Sequence, residues 1–374
     1  MDQPTPHEAI YDGSYETHVL LYKLSSEFHY DDPYHPRVLY TEPSTERWIE
    51  ALKHGLRDDF IKRLILVDKS PVSPNFMFIA ACKYGNIPFA QWVLSTYPDQ
   101  VVPHAHDNQA FVLACRQGHF HMVEWLYSKF PHVIHIYDPI KNGFICACIR
   151  GHFFMAKWLL GVSSPVRNQF DKDDAFNWSC GQGHLHIAQW LVRIFPEINP
   201  KNNYRYEAFY FACKNNHLRV AQWLARVFPL TKQDMWCINN TFITTSRKGH
   251  LRVIQWLFKE IQDNLDDDLY FGKDMMFHIA CMDGYLHVVQ WLVKMFPPNI
   301  SNDSGTSLSM STTFFSTCIN GHLPVAQWLV KVFSNIDPYY DNNRSLREVR
   351  KNGHPKVAQW LAKRFPYIDF SVEK

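Results

Sequence analysis

The 374-residue chain has almost no charge imbalance: 38 Lys and Arg face 36 Asp and Glu, a formal net charge of +2. Nothing global therefore steers it toward nucleic acid or an anionic membrane, although a local basic patch is compatible with that balance. It also lacks any apolar run near the ~18 residues that a membrane span needs. Its first residues, MDQPTPHEAI, carry neither a basic n-region nor an apolar h-region, so no secretory leader is expected. The expected compartment is cytoplasmic, with the nucleus as the alternative. Sequence signatures of catalysis are missing too: there is no phosphate loop, dinucleotide fingerprint or GxSxG elbow. Cys146 and Cys148 have one residue between them, not the two of a redox pair. Twenty histidines are present, and His119 with His121 and His184 with His186 are spaced like ligands. They bring no cysteine or carboxylate at zinc-site spacing. No catalytic residue, metal or cofactor is expected.

What the chain does have is repetition. The stretch GHLHIAQWLVRIFP, beginning at Gly183, recurs in near-copies whose tryptophans are Trp92, Trp125, Trp158, Trp190, Trp223, Trp256, Trp291, Trp328 and Trp360, spaced by 32 to 37 residues. A fixed period of this length marks a solenoid, in which each unit buries its apolar face on the next. No copy should fold alone, and one elongated domain with a continuous core is expected.

Each unit reads as two helices about a turn. Seven residues before the turn stands a phenylalanine (Phe78, Phe111, Phe144, Phe176, Phe209, Phe242, Phe277, Phe314; Leu346 in the last unit), followed by small residues. The turn is Gly85, Gly118, Gly151, Gly183, Gly249, Gly284, Gly321 or Gly353, with Asn216 in one unit. Glycine and asparagine accept a left-handed backbone, so the turn closes the first helix. The second helix carries apolar residues four, five, seven, eight and usually twelve positions past the turn, a wide stripe predicted to be buried, and it usually stops at proline. Seven histidines immediately after the turn, such as His119, His184 and His250, are set by architecture; there an imidazole can bond loop backbone.

Seven of the nine cysteines share the slot three residues before the turn. Equivalent atoms on stacked helices lie about 8 to 10 Å apart, beyond the ~7 Å Cα limit of a disulfide. These cysteines are predicted to be small buried residues. Basic residues repeat as well: Arg193, Arg226, Lys259, Lys294, Lys331 and Lys363 fall ten residues past the turn. They either complement the C-terminal end of each second-helix dipole or form a ladder for an anionic ligand.

Residues 1–44 do not carry the repeat and form an N-terminal arm, with a helical candidate from Thr17 to Phe28. The arm either packs on the open end of the stack or binds a partner. The repeat domain is expected over 45–374, with a degenerate capping unit at 45–73 and nine clear units at 74–374. Two longer loops, 262–274 (acidic) and 297–313 (polar), interrupt the later units.

A unit of this length with helix, Gly-His turn, helix and finger loop resembles the ankyrin repeat over about Ser44 to Phe370. The resemblance is strongest in GHLHIAQWLV, GHLRVIQWLF and GHLPVAQWLV, and in MMFHIAC at Met275 to Cys281. Units with a Trp in the second helix are similar to ankyrin proteins of large DNA viruses of amoebae, which would place the protein in a host cell. Elsewhere the TPLHLAA segment is replaced, as in EAFYFAC and TTFFSTC, so another helical-hairpin solenoid is the runner-up within the all-α class. The resemblance implies a monomeric, non-enzymatic scaffold that binds a protein in a concave groove lined by finger tips and first-helix ends. The matching positions are Phe170, Tyr204, Tyr206, Trp236, Phe271 and Tyr340, with Arg116, Lys214, Arg247 and Lys351. Aromatics and Arg dominate interface energetics; the alternative is that these rings pack between neighbouring fingers. An anionic ligand or nucleic acid on the basic ladder is the alternative function. No membrane partner is expected.

Overall fold

The computed structural model describes residues 46–55, 61, 73–131, 139–162, 172–199, 206–264, 273–296, 310–334, 336–337 and 344–365. The arm at 1–44 and most of the capping unit lie outside them. So do Thr17 to Phe28, most of the 262–274 loop and most of the 297–313 loop. Among the described residues are 19 α-helices and no β-strand, an all-α repeat fold.

The chain divides into two compact units, residues 1–179 with 184–198, and residues 180–183 with 199–374. In the first, α1 (Glu46–Lys53) is followed by the pairs α2 (Pro74–Lys83) and α3 (Ile87–Thr96), α4 (Ala105–Gln117) and α5 (Phe120–Lys129), and α6 (Pro139–Arg150) and α7 (Phe153–Val162). Then come α8 (Lys172–Gly181), whose last two residues count with the second unit, and α9 (Leu185–Ile194). In the second unit the pairs are α10 (Glu207–Lys214) and α11 (Leu218–Val227), α12 (Met235–Arg247) and α13 (Leu251–Asn264), and α14 (Lys273–Met282) and α15 (Leu286–Met295). α16 (Met310–Ile319) with α17 (Leu323–Val332) and α18 (Arg344–Lys351) with α19 (Pro355–Arg364) complete it.

Within each unit, first helices pack on first helices, α2 on α4 on α6, and α10 on α12 on α14 on α16 on α18, and the second helices α3, α5, α7, α11, α13, α15, α17 and α19 pack on their own first helices. The repeated large and small residues explain this order. The phenylalanine seven before the turn is buried in α2, α4, α6, α10, α12 and α16, and Ala81, Ala114, Ala147, Ala212 and Ala280 are closed off completely beside it. All nine cysteines are buried. Burial pushes the thiols of Cys82, Cys148, Cys281 and Cys318 far above the ordinary range, so they remain protonated.

The turns are Schellman closures. The Gly118 N–H bonds Cys115 O at 3.2 Å and the His119 N–H bonds Ala114 O at 3.1 Å, with Gly118 at φ 77°, a conformation that favours glycine. Asn216 takes the same backbone at φ 65°.

The second helices differ from expectation in one respect. Residues four, five and eight past the turn, for example Val220, Ala221 and Leu224, are fully buried, but the repeated tryptophans are only half-buried. Each indole is too large to enter the space between helices filled by Ala and Cys, so it lies along the core's edge. There it leans on the first-helix phenylalanine of the preceding repeat: Phe78 meets Trp125 at 6.5 Å, Phe144 meets Trp190 at 6.3 Å, Phe209 meets Trp256 at 6.2 Å and Phe314 meets Trp360 at 6.3 Å. These tilted or edge-on contacts between rings tie one pair to the next.

Candidate protein-interaction surface

Two polar devices stitch the turns together and occupy the histidines that a chemical reading would need. The turn histidine of one repeat donates from Nε2 to the carbonyl two residues before the preceding turn: His152 to Arg116 O at 3.0 Å, His184 to Ile149 O at 3.0 Å and His250 to Lys214 O at 3.1 Å. Asparagines do the same from the residue before the turn, Asn215 to Gly181 O at 2.7 Å and Asn320 to Met282 O at 3.1 Å. The acceptors are last-turn carbonyls that their own helices leave unpaired. Burial pulls the pKa of His119, His152, His217, His250 and His322 below 6.5, keeping them neutral. His278, in the best-kept copy of the TPLH-like segment, bonds Thr313 of the next repeat, Nδ1 to Oγ1 at 2.9 Å. Among the described residues no three His, Cys, Asp or Glu side chains are grouped so as to hold a metal ion.

The expected interface residues separate. Phe170, Tyr204, Phe271 and Tyr340 lie outside the described residues. Tyr206 is 1% exposed: its ring lies tilted against Phe209 at 5.2 Å and its hydroxyl donates to Phe228 O at 3.3 Å. It has taken the packing alternative, because the residue just ahead of α10 is turned inward at φ 38° and covers the end of the buried phenylalanine row. Arg116, at 3% exposed, is likewise interior. Lys351 is exposed and pairs with Glu348 at 3.4 Å.

Lys214, Trp236 and Arg247 lie on first helices of the second unit, Lys214 and Arg247 at the C-terminal ends of α10 and α12 and Trp236 at the opposite end of α12. Trp236 is 63% exposed near the start of α12, while Arg247 ends the same helix about 16 Å away, at 1.5 Å rise per residue. Arg247 Nε reaches Asp283 Oδ2 at 3.8 Å. On adjacent α10, Lys214 Nζ lies 5.8 Å from the Phe211 ring centroid, and the Tyr210 and Thr244 hydroxyls meet at 3.3 Å across the two helices. Met275, 41% exposed, continues the surface on α14. Sequence reasoning missed Tyr210, Phe211 and Met275. For Phe211 the signal was variability: five residues before the turn the repeats carry Trp178, Phe211, Thr244, Ile279 and Ser316 in turn; nothing in the repeat pattern marked Tyr210 or Met275.

Residues 144–234 match the family model for ankyrin repeats (3 copies). That stretch carries ankyrin repeats. No curated protein matches it. Ankyrin repeats are generally protein–protein interaction modules, and the family is typically non-enzymatic. The helix pairs outside the matched stretch repeat its turn geometry, down to the positive φ of Gly85, Gly249, Gly284, Gly321 and Gly353. No helix among the described residues is long and apolar enough to cross a membrane.

Proposed function

We propose that the first-helix side of the second unit, centred on Trp236 and Arg247 with Phe211, Lys214 and Met275, holds a partner protein. The observation that carries this reading is Trp236. The indoles of the repeat lie against neighbouring phenylalanines and are half-buried, but this one, outside the repeat register, is left in solvent at the mouth of a helix face. An exposed indole on the first-helix side, with Arg247 at the other end of the same helix about 16 Å away and Lys214 at the end of the neighbouring one, supplies the residue types that dominate interface hot spots. The protein acts as a non-enzymatic scaffold in the cytosol or nucleus, where its buried cysteines stay reduced.

The test is quantitative capture from cells of the source, comparing the wild type with Trp236→Ala plus Arg247→Ala. Hot-spot truncations cost about 2 kcal/mol each, so capture of the wild-type partner set should fall at least ~10-fold, the ratio that 1.4 kcal/mol represents, with helical content unchanged. Undiminished capture by the double variant would move the interface elsewhere.

A further inference from the structure

The second helices of the second unit present a face of opposite character. α11, α13, α15, α17 and α19 together hold nine Lys and Arg against two carboxylates, Glu260 and Asp263. The four second helices of the first unit, α3, α5, α7 and α9, hold three against one. In a chain whose formal charge is +2 overall, this concentration is local.

Its geometry is regular. Arg226, Lys259, Lys294, Lys331 and Lys363 stand ten residues past their turns and are exposed. Arg219, Arg252 and Lys356 stand at the third position, seven residues earlier and therefore two helical turns along the same face. None of these eight forms an ion pair with a described carboxylate, unlike Arg247 and Lys351 on the first helices. The dipole explanation accounts for Arg226, Lys294, Lys331 and Lys363, in the last turns of their helices, but not for Lys259, which lies before the last turn of α13, nor for Arg219, Arg252 and Lys356 in the first turn, where a cation is disfavoured. Between the two cationic rows runs a column of glutamines, Gln222, Gln255, Gln290, Gln327 and Gln359, whose amides both donate and accept. Next to three tenth-position cations the eleventh residue is an exposed aliphatic: Val227, Met295 and Val332.

We infer that this second-helix face is a second docking surface, and that its occupant is an extended acidic segment of a partner protein with interspersed aliphatic side chains. Neighbouring helices step by about 10 Å, and an extended polypeptide in the polyproline II conformation advances about 3.1 Å per residue with three residues per turn. Every third residue of such a segment therefore meets an equivalent lysine or arginine. The glutamine amides match the N–H and C=O groups of a peptide backbone, and Val227, Met295 and Val332 supply aliphatic contacts that a phosphate backbone would not use. Single-stranded nucleic acid binds through exposed aromatic platforms, and no aromatic residue on this face is more than half-exposed. The proposal goes beyond the first-helix interface and does not depend on it.

The test uses the full chain and fluorescent probes measured by anisotropy from 50 to 300 mM salt. The probes are an 18-residue peptide repeating Glu-Leu-Glu, its Gln-Leu-Gln counterpart, a 20-nucleotide single strand, a 20-base-pair duplex and phosphatidylserine vesicles. The acidic peptide should bind at least ~10-fold tighter than its neutral counterpart and than any nucleic acid or vesicle, and should weaken with salt. Charge reversal at Arg226, Lys259, Lys294 and Lys331 to Glu should abolish binding. The milder replacement of all four by Gln, which keeps these exposed helices intact, should weaken it at least ~10-fold. Trp236→Ala should leave it unchanged. Tighter binding of a nucleic acid or of vesicles, absence of peptide binding, or equal binding by the Gln variant would overturn the inference.

Discussion

The imidazole of His152 covers Gly118 so closely that a Cβ on that glycine would lie 2.6 Å from the ring, while Nε2 of the same ring donates to Arg116 O at 3.0 Å. The contact recurs: His184 covers Gly151, His217 covers Gly183 and His354 covers Gly321. Glycine at the turn is thus required twice, for its left-handed backbone and for the approach of the next repeat. At Gly353, the last turn, a Cβ meets nothing within 4 Å.

That difference predicts unequal costs for one substitution. Gly353→Ala should cost roughly the 1 to 2 kcal/mol of a left-handed non-glycine residue. Gly118→Ala should cost distinctly more, since the His152 ring must also move. Denaturant midpoints of the two variants decide the matter; equal shifts would remove the histidine contact from the account.

The same ring ladder makes stability depend on pH. His119, His152, His217, His250 and His322 have folded pKa values depressed below 6.5, chiefly by burial. The unfolded chain therefore binds protons more readily at these sites, and their stabilisation, fully present above about pH 6.5, is lost as pH falls through the folded values. Urea midpoints should be higher at pH 7.5 than at pH 5.0, with part of the difference removed by His152→Asn. A pH-independent midpoint would contradict it.

Much of this was legible because repetition separates architectural residues from the rest. The cysteine slot, the glycine turn and its histidine could each be assigned by register alone, and all were found as core or turn elements. Depth was less legible. Periodicity places Trp256 on the apolar side of α13 but does not measure the gap it must enter, and the indole ends half-buried beside Phe209. Positions outside the register were least legible. Tyr206, for which a groove position and packing between neighbours were both open, is interior, because a φ of 38° before α10 redirects a side chain that no repeat pattern constrains; Arg116 read as a surface residue and is interior too.

The depth correction has a measurable consequence. Leu257, with no exposure, lies in the core beside the half-buried Trp256. Leu257→Ala should cost about 2 to 5 kcal/mol, and Trp256→Ala no more than that despite its larger side chain, since only part of the indole leaves water. A much larger loss at Trp256 would return the indole to the core.

The cysteines give an independent check on stacking. With every thiol buried and those of Cys82, Cys148, Cys281 and Cys318 held protonated, a thiol reagent should modify none of them rapidly in native protein and all of them together on unfolding. Rapid modification of several before unfolding would show the repeats to be loosely packed.

The most direct test of the proposed interface is amide hydrogen exchange of the chain alone and with its captured partner. New protection should be concentrated on α10, α12 and α14, including the first turn of α12 around Trp236. Protection elsewhere, with these three helices unchanged, would contradict that placement.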